Sequence, residues 1–122
     1  MTCKIVYVYP IVGNGQYLEL ALRFLKTYHD FPAGYPHESI VMCNGGEPND
    51  EVRFLFGAME NVRFIHHNNC GWDISAHQQA AWENADADMM VFFGSSAYIK
   101  GAGWLARFVQ AREKYGDTLY GT

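Results

Sequence analysis

The residues of this chain that could do chemistry gather in four short stretches, each following an apolar run. The first is Pro10-Ile11-Val12-Gly13-Asn14-Gly15-Gln16-Tyr17. It carries a GxG but no third glycine at dinucleotide spacing and no Walker lysine, so both nucleotide fingerprints fail and a simple turn into a helix explains it. The second is Cys43-Asn44-Gly45-Gly46-Glu47. Its glycines let the backbone approach a ligand closely, and Asn44 could bond a base or ribose; a tight turn with Asn and Gly at positive φ explains it equally. The third, Asn68-Asn69-Cys70-Gly71-Trp72-Asp73-Ile74-Ser75-Ala76, is the most informative. Asp73 could be only a helix N-cap and Trp72 only a core anchor. An Asn, Gly, Trp and Asp exposed together would also suit a planar base and a sugar hydroxyl. The fourth is Phe93-Gly94-Ser95-Ser96-Ala97-Tyr98, running on to Trp104-Leu105, and its small residues leave room for a ligand or for a turn.

Two other constellations compete. His66, His67, Cys70, Asp73 and His77 fall within twelve residues. Such a set could ligate zinc, but the spacing matches no standard finger. Cys70 beside His66 or His67 could be a thiol nucleophile, although no third orienting group stands at a recognisable spacing. A phosphoacceptor Asp would be expected after the third strand of a doubly wound regulator, and His66-His67-Asn68 occupies that place.

The elements that must position these stretches alternate. Residues 4–11 read as a buried strand. Residues 16–29 read as a helix, with Leu18, Ala21, Leu22, Leu25 and Tyr28 at helical spacing. A second strand spans 38–43, and Asn49 or Asp50 caps a short helix running to about Met59. A third strand spans 62–66 and a helix 73–85, with Ile74, His77 and Ala81 on one face. Met89 to Phe93 is an uninterrupted apolar run, hence a strand covered on both faces. A last helix covers 104–115, and 117–120 starts another strand. Phe54, Phe56, Phe64, Phe92 and Phe93 read as core. The β-α-β-α-β-α-β-α order predicts one α/β domain over residues 1–122, with a mostly parallel sheet and helices on both faces. Ligands then sit beyond the carboxyl ends of the strands, which is where the four stretches fall.

Composition fits that class. The 122 residues are 49% hydrophobic, 18% charged and 16% aromatic, which is globular rather than disordered. A net charge of −4 without a basic stripe argues against nucleic acid. Cys3, Cys43 and Cys70 are odd in number and widely spaced, so no disulfide framework is implied. Without a secretory signal or a membrane-length apolar run, the expectation is a cytoplasmic protein.

The order of these segments resembles the N-terminal half of inverting glycosyltransferases with the GT-A fold, a Rossmann-like nucleotide-diphospho-sugar transferase fold. YLELALRFLKTY resembles that family's first helix, and VMCNGG its short Asp- or Asn-Gly loop. NNCGWDISA is similar to its Asn-x-Gly segment, closest to the Gly-Tyr-Asp variant of rhamnan-type transferases. FFGSSAYIKGAGWLARF is similar to the strand, metal motif and "pGWL" segment that follow. The resemblance implies a UDP-, dTDP- or GDP-sugar donor lying across the four loops, for transfer of a hexosyl group to an acceptor hydroxyl with inversion. It places base and ribose near Pro10, Asn44, Gly45, Gly71 and Asp73, and the diphosphate near Ser95 and Ser96. The family's Asp-x-Asp carboxylates hold Mn²⁺ or Mg²⁺. Gly94-Ser95-Ser96 stands in their place. Either the donor site is metal-independent, or another carboxylate such as Asp73 serves, or the site is degenerate. The family's acceptor-binding segment with its general base is missing, which leaves the catalytic residue unassigned and lowers any transfer rate by about 10²–10⁴-fold or more. The expectation is thus a truncated or shortened relative. The rival is a catalytically degenerate binding or assembly module, prone to homo-oligomerise through an exposed sheet edge.

Overall fold

In a computed structural model the chain forms four strands and four helices in strict alternation; residues 1–11, 15–68 and 72–120 are described. The elements are β1 (Cys3–Pro10), α1 (Gly15–Asp30), β2 (Glu38–Asn44), α2 (Asp50–Phe56), β3 (Val62–His67), α3 (Trp72–Glu83), β4 (Met89–Phe93) and α4 (Trp104–Tyr115). All strand pairs are parallel and the order is β3-β2-β1-β4. The α/β expectation with a parallel sheet is met.

Strand periodicity divides the core into two layers. On one face, Cys3, Ile5 and Tyr7 of β1 join Val41 and Cys43 of β2. They bury Ala21 and Phe24 of α1, Val52 and Phe56 of α2, and Leu105 of α4. On the other, Val6, Val8, Ile40 and Met42 meet Ala76 and Ala80 of α3. The two alanines, one helical turn apart, let α3 lie close to the sheet. Helix α2 starts where its capping chemistry says it should: Asn49 is the N-cap, its side-chain oxygen accepting from Val52 N at 2.8 Å.

Several expectations are corrected. Helix α1 buries the 21/24/25/28 stripe, with Phe24 at its centre, and leaves Leu22 50% exposed. Helix α3 buries Ala76 and Ala80, whereas Ile74 is exposed. Strand β4 is an edge strand, and Phe92 is 43% exposed because α3 packs on β1 and β2 instead. Phe54 points to solvent, since Val52 and Phe56 form the buried side of α2. Helix α2 ends at Phe56, short of Met59. Residues 117–120 form no strand, and Leu119 is exposed.

The stripe assignment is testable by unfolding. Phe24→Ala should cost about 3–5 kcal/mol by opening a core cavity, and Leu22→Ala should stay within about 0.5 kcal/mol. Equal costs would mean that the wrong face of α1 has been assigned to the core.

Candidate functional site

Because every strand runs the same way, the turns after β1, β2, β3 and β4 all emerge on one edge. The chain moves outward from β1 to β2 and β3, then returns to place β4 on the other side of β1. That reversal opens a crevice between the carboxyl ends of β1 and β4, the place where parallel α/β sheets take ligands.

Three elements meet at this crevice. Tyr7 of β1 is buried and its hydroxyl donates to the Ser95 carbonyl at 2.8 Å. Asp73, in the first turn of α3, accepts from the Ser95 N–H through Oδ2 at 3.3 Å. Glycine at 94 permits this approach, since a methyl there would lie 3.1 Å from Asp73 Oδ2. Arg23 of α1 donates from Nη2 to the Ser96 carbonyl at 2.9 Å, and its guanidinium carbon stands 4.3 Å from the Tyr98 ring centre. Burial pushes the Tyr7 hydroxyl well above the usual phenol range; Tyr9 and Asp73 add to the shift and Arg23 opposes it. A groove of about 740 Å³ runs along the outer edge of β4 and reaches Gly94 and Ser96.

A second knot lies under the β2 and β3 ends. Pro10, Asn44 and His67 share one register row across the sheet. Asn44 is 2% exposed, with Oδ1 2.7 Å from His67 Nδ1. His67 Nε2 lies 3.0 Å from Ser75 Oγ on α3. One neutral tautomer satisfies both contacts, with Nδ1–H donating to Asn44 and Nε2 accepting from Ser75. Gly45 turns with φ 91° and its N–H donates to the His67 carbonyl at 2.7 Å. Asn44 and Gly45 therefore tie β2 to β3, and through Ser75 they fix where α3 begins.

The expected site residues thus separate. Asp73, Ser95 and the backbone of Ser96 come together at the crevice. Pro10 closes β1 beside Asn44, and Asn44 and Gly45 hold the sheet end. Gly71 lies outside the described residues, as does Cys70, so the thiol reading is not addressed. Trp72 is no core anchor: it is 74% exposed and holds φ 60°, unusual for a bulky residue. Asp73 is not the N-cap, since α3 already begins at Trp72; it lies in the first turn and reaches the opposite turn instead. Among the described residues no three His, Cys, Asp or Glu side chains gather as a metal site. His66 pairs with Glu47 at 3.0 Å, and His77 packs edge-on against Phe92. Tyr7, Arg23 and Ser75 escaped sequence reasoning. Tyr7 sits within an apolar strand run and Arg23 in mid-helix, and neither position carries a signal for a partner some 70 to 90 residues away.

Comparisons with protein-family models, with curated proteins and with solved structures return no match. What the site can do rests on its geometry. It offers a carboxylate, two serines and a guanidinium at the crevice of a parallel sheet, with an exposed tryptophan next in sequence to the carboxylate.

Burial lowers both His67 and His77 from the ordinary 6.5, His66 adding to the shift at His67 and Asp73 opposing it at His77. The folded state then binds fewer protons than the unfolded chain below that value. The stability tied to these neutral rings is complete above about pH 6.5 and declines as pH falls toward the folded-state values, by up to about 1.4 kcal/mol per pH unit per ring. Melting curves from pH 7.5 to 5 should show this decline, and His77→Phe should flatten it. An unchanged slope in the variant would rule out a neutral, partly buried His77.

Proposed function

We propose that the chain is the donor-binding part of a GT-A-type glycosyltransferase, holding a nucleotide-diphospho-sugar for hexosyl transfer to an acceptor hydroxyl. The observation that carries the reading is the Asp73 carboxylate fixed on the Ser95 amide at the β1/β4 crevice. A carboxylate held there suits the hydroxyls of a ribose or hexose, which donate to it. Trp72, exposed one residue earlier, supplies a flat face for a base or sugar ring. The groove along β4 gives an elongated ligand room beside Ser96. The segment order in the sequence supplies the family resemblance.

The second reading is a GT-A-like binding or assembly module without transfer. It is favoured by the Gly94-Ser95-Ser96 turn, which carries no carboxylate, and by the open, apolar edge of β4. Self-association in size-exclusion chromatography, with donor bound but never cleaved, would select it.

The test of donor binding is thermal unfolding with UDP, GDP and dTDP. A nucleotide at 100 times its Kd should add about 2.7 kcal/mol, a shift of several degrees for a domain of this length. With the matching nucleotide-sugar, Asp73→Asn should weaken binding by about tenfold or more, because hydrogen bonds to a charged group are lost. A cooperative melt that no nucleotide moves would end the donor-site reading.

A further inference from the structure

The turn after β4 raises the question of what would hold an anionic ligand there. A divalent cation bridging phosphates asks for oxygen ligands, commonly one or two carboxylates. Residues 94–96 supply none, and Asp73 is the one carboxylate among the described residues that hydrogen-bonds to this turn. Its Oδ2 already accepts the Ser95 N–H. This donor set does not fit Mn²⁺ or Mg²⁺.

Positive charge is present instead. Arg23 is exposed and lies four residues after Glu19, the spacing of a helical ion pair. Its guanidinium turns away from that partner to the Ser96 carbonyl and the Tyr98 ring. Lys100 Nζ stands 5.7 Å from the same ring centre. Neither cation has a carboxylate within ion-pair distance among the described residues. Arg23 spends one donor on Ser96 and keeps others for a ligand; a guanidinium fork matches phosphate oxygens in geometry as well as charge. Stacking on Tyr98 holds the fork in place. The same charge would repel a metal ion brought to Asp73.

We propose that Arg23, backed by Tyr98 and assisted by Lys100, takes the place of a divalent cation at this edge and binds the diphosphate of the donor without metal. The proposal rests on the donor-site reading for its ligand, and on the Arg23–Ser96–Tyr98 geometry for its chemistry.

The experiment is calorimetric titration of the full chain with sodium pyrophosphate, and separately with UDP, GDP and dTDP, in EDTA and again with Mn²⁺. Pyrophosphate and one nucleotide should bind in EDTA. Arg23→Ala should weaken both at least tenfold, Arg23→Lys should fall between, and Lys100→Ala should weaken them less. Lys26→Ala, which removes an exposed cation of the same helix, should change nothing. Melting curves matching the parent within a few degrees would show that the Arg23 variants remain folded. Binding that appears only with Mn²⁺, or that survives Arg23→Ala, overturns the proposal and leaves the donor-site reading standing. Pyrophosphate binding that depends on Arg23, with no nucleotide bound, supports the Arg23 subsite and removes the nucleotide reading. Absence of binding by any probe overturns both.

Discussion

Strand β1 is hydrogen-bonded on both sides by parallel neighbours, and most of the molecule follows from that one constraint. Parallel partners cannot be joined by a tight turn, so each connection must cross a sheet face, and here each crossover contains a helix. The crossovers cover both faces of β1, which explains why Ile5, Val6, Tyr7 and Val8 are all fully buried although neighbours point opposite ways. The same constraint sends every strand out at one edge and makes β1 the point where the winding reverses. The crevice is therefore a property of the topology, and the side chains around it only determine what it can hold.

The two ends of the sheet are used differently. At the amino end of β1, Lys4 is 6% exposed on the α3 face. A buried ammonium must be paired, and Lys4 lies 3.1 Å from Asn84 Oδ1, 3.3 Å from Glu38 and 3.5 Å from Asp86. Arg63 of β3 donates to the same Asn84 oxygen. This network joins β1, β2, β3 and the end of α3; Lys4 and Asn84 are its buried members, so removing Asn84 would leave the Lys4 ammonium to the exposed carboxylates of Glu38 and Asp86. At the carboxyl end, the Asn44–His67–Ser75 chain makes the matching join at the start of α3. Held at both ends and seated through Ala76 and Ala80, α3 has little freedom to slide, and Asp73 inherits that rigidity.

The element order was legible because each apolar run is bounded by Gly, Asn or Pro, and such punctuation is local. Helix α4 and strand β4 fall on the boundaries read from the residues alone, and the Asn49 cap was readable from its type. Coverage was not legible. MMVFF reads as a doubly covered strand, yet nothing in those five residues records which helix lies over them, and β4 stands at the edge. Leu22 and Phe24 are both apolar and two residues apart, and only the position of the sheet decides between them. The site divided in the same way. Ser95 stood out because it sits in a turn and Asp73 because it opens a helix right after a polar stretch, places where side chains need an explanation. Tyr7 and Arg23 sit inside regular elements, where core and solvent already explain a tyrosine and an arginine.

The turn after β4 also has a polarity that follows from its peptide groups. The Ser95 N–H points to the Asp73 carboxylate, while the carbonyls of Ser95 and Ser96 accept from the Tyr7 hydroxyl and the Arg23 guanidinium. The anion is thus met by a backbone N–H and each donor by a backbone carbonyl, while the Ala97 N–H closes the turn on the Gly94 carbonyl at 3.1 Å. The carboxylate of Asp73 and the guanidinium of Arg23 therefore each have a backbone partner of the fitting polarity in this turn. A ligand entering this edge meets an acceptor on one side of the turn and donors on the other. In the donor-site reading that asymmetry sets the orientation: the phosphate-bearing part faces Arg23, and the hydroxyl-rich part faces Asp73. Exchanging the two charges would leave the net charge of the site unchanged but set a cation against the Ser95 N–H and a carboxylate against the Ser96 carbonyl, so the order of the charges matters to this turn as much as their sum.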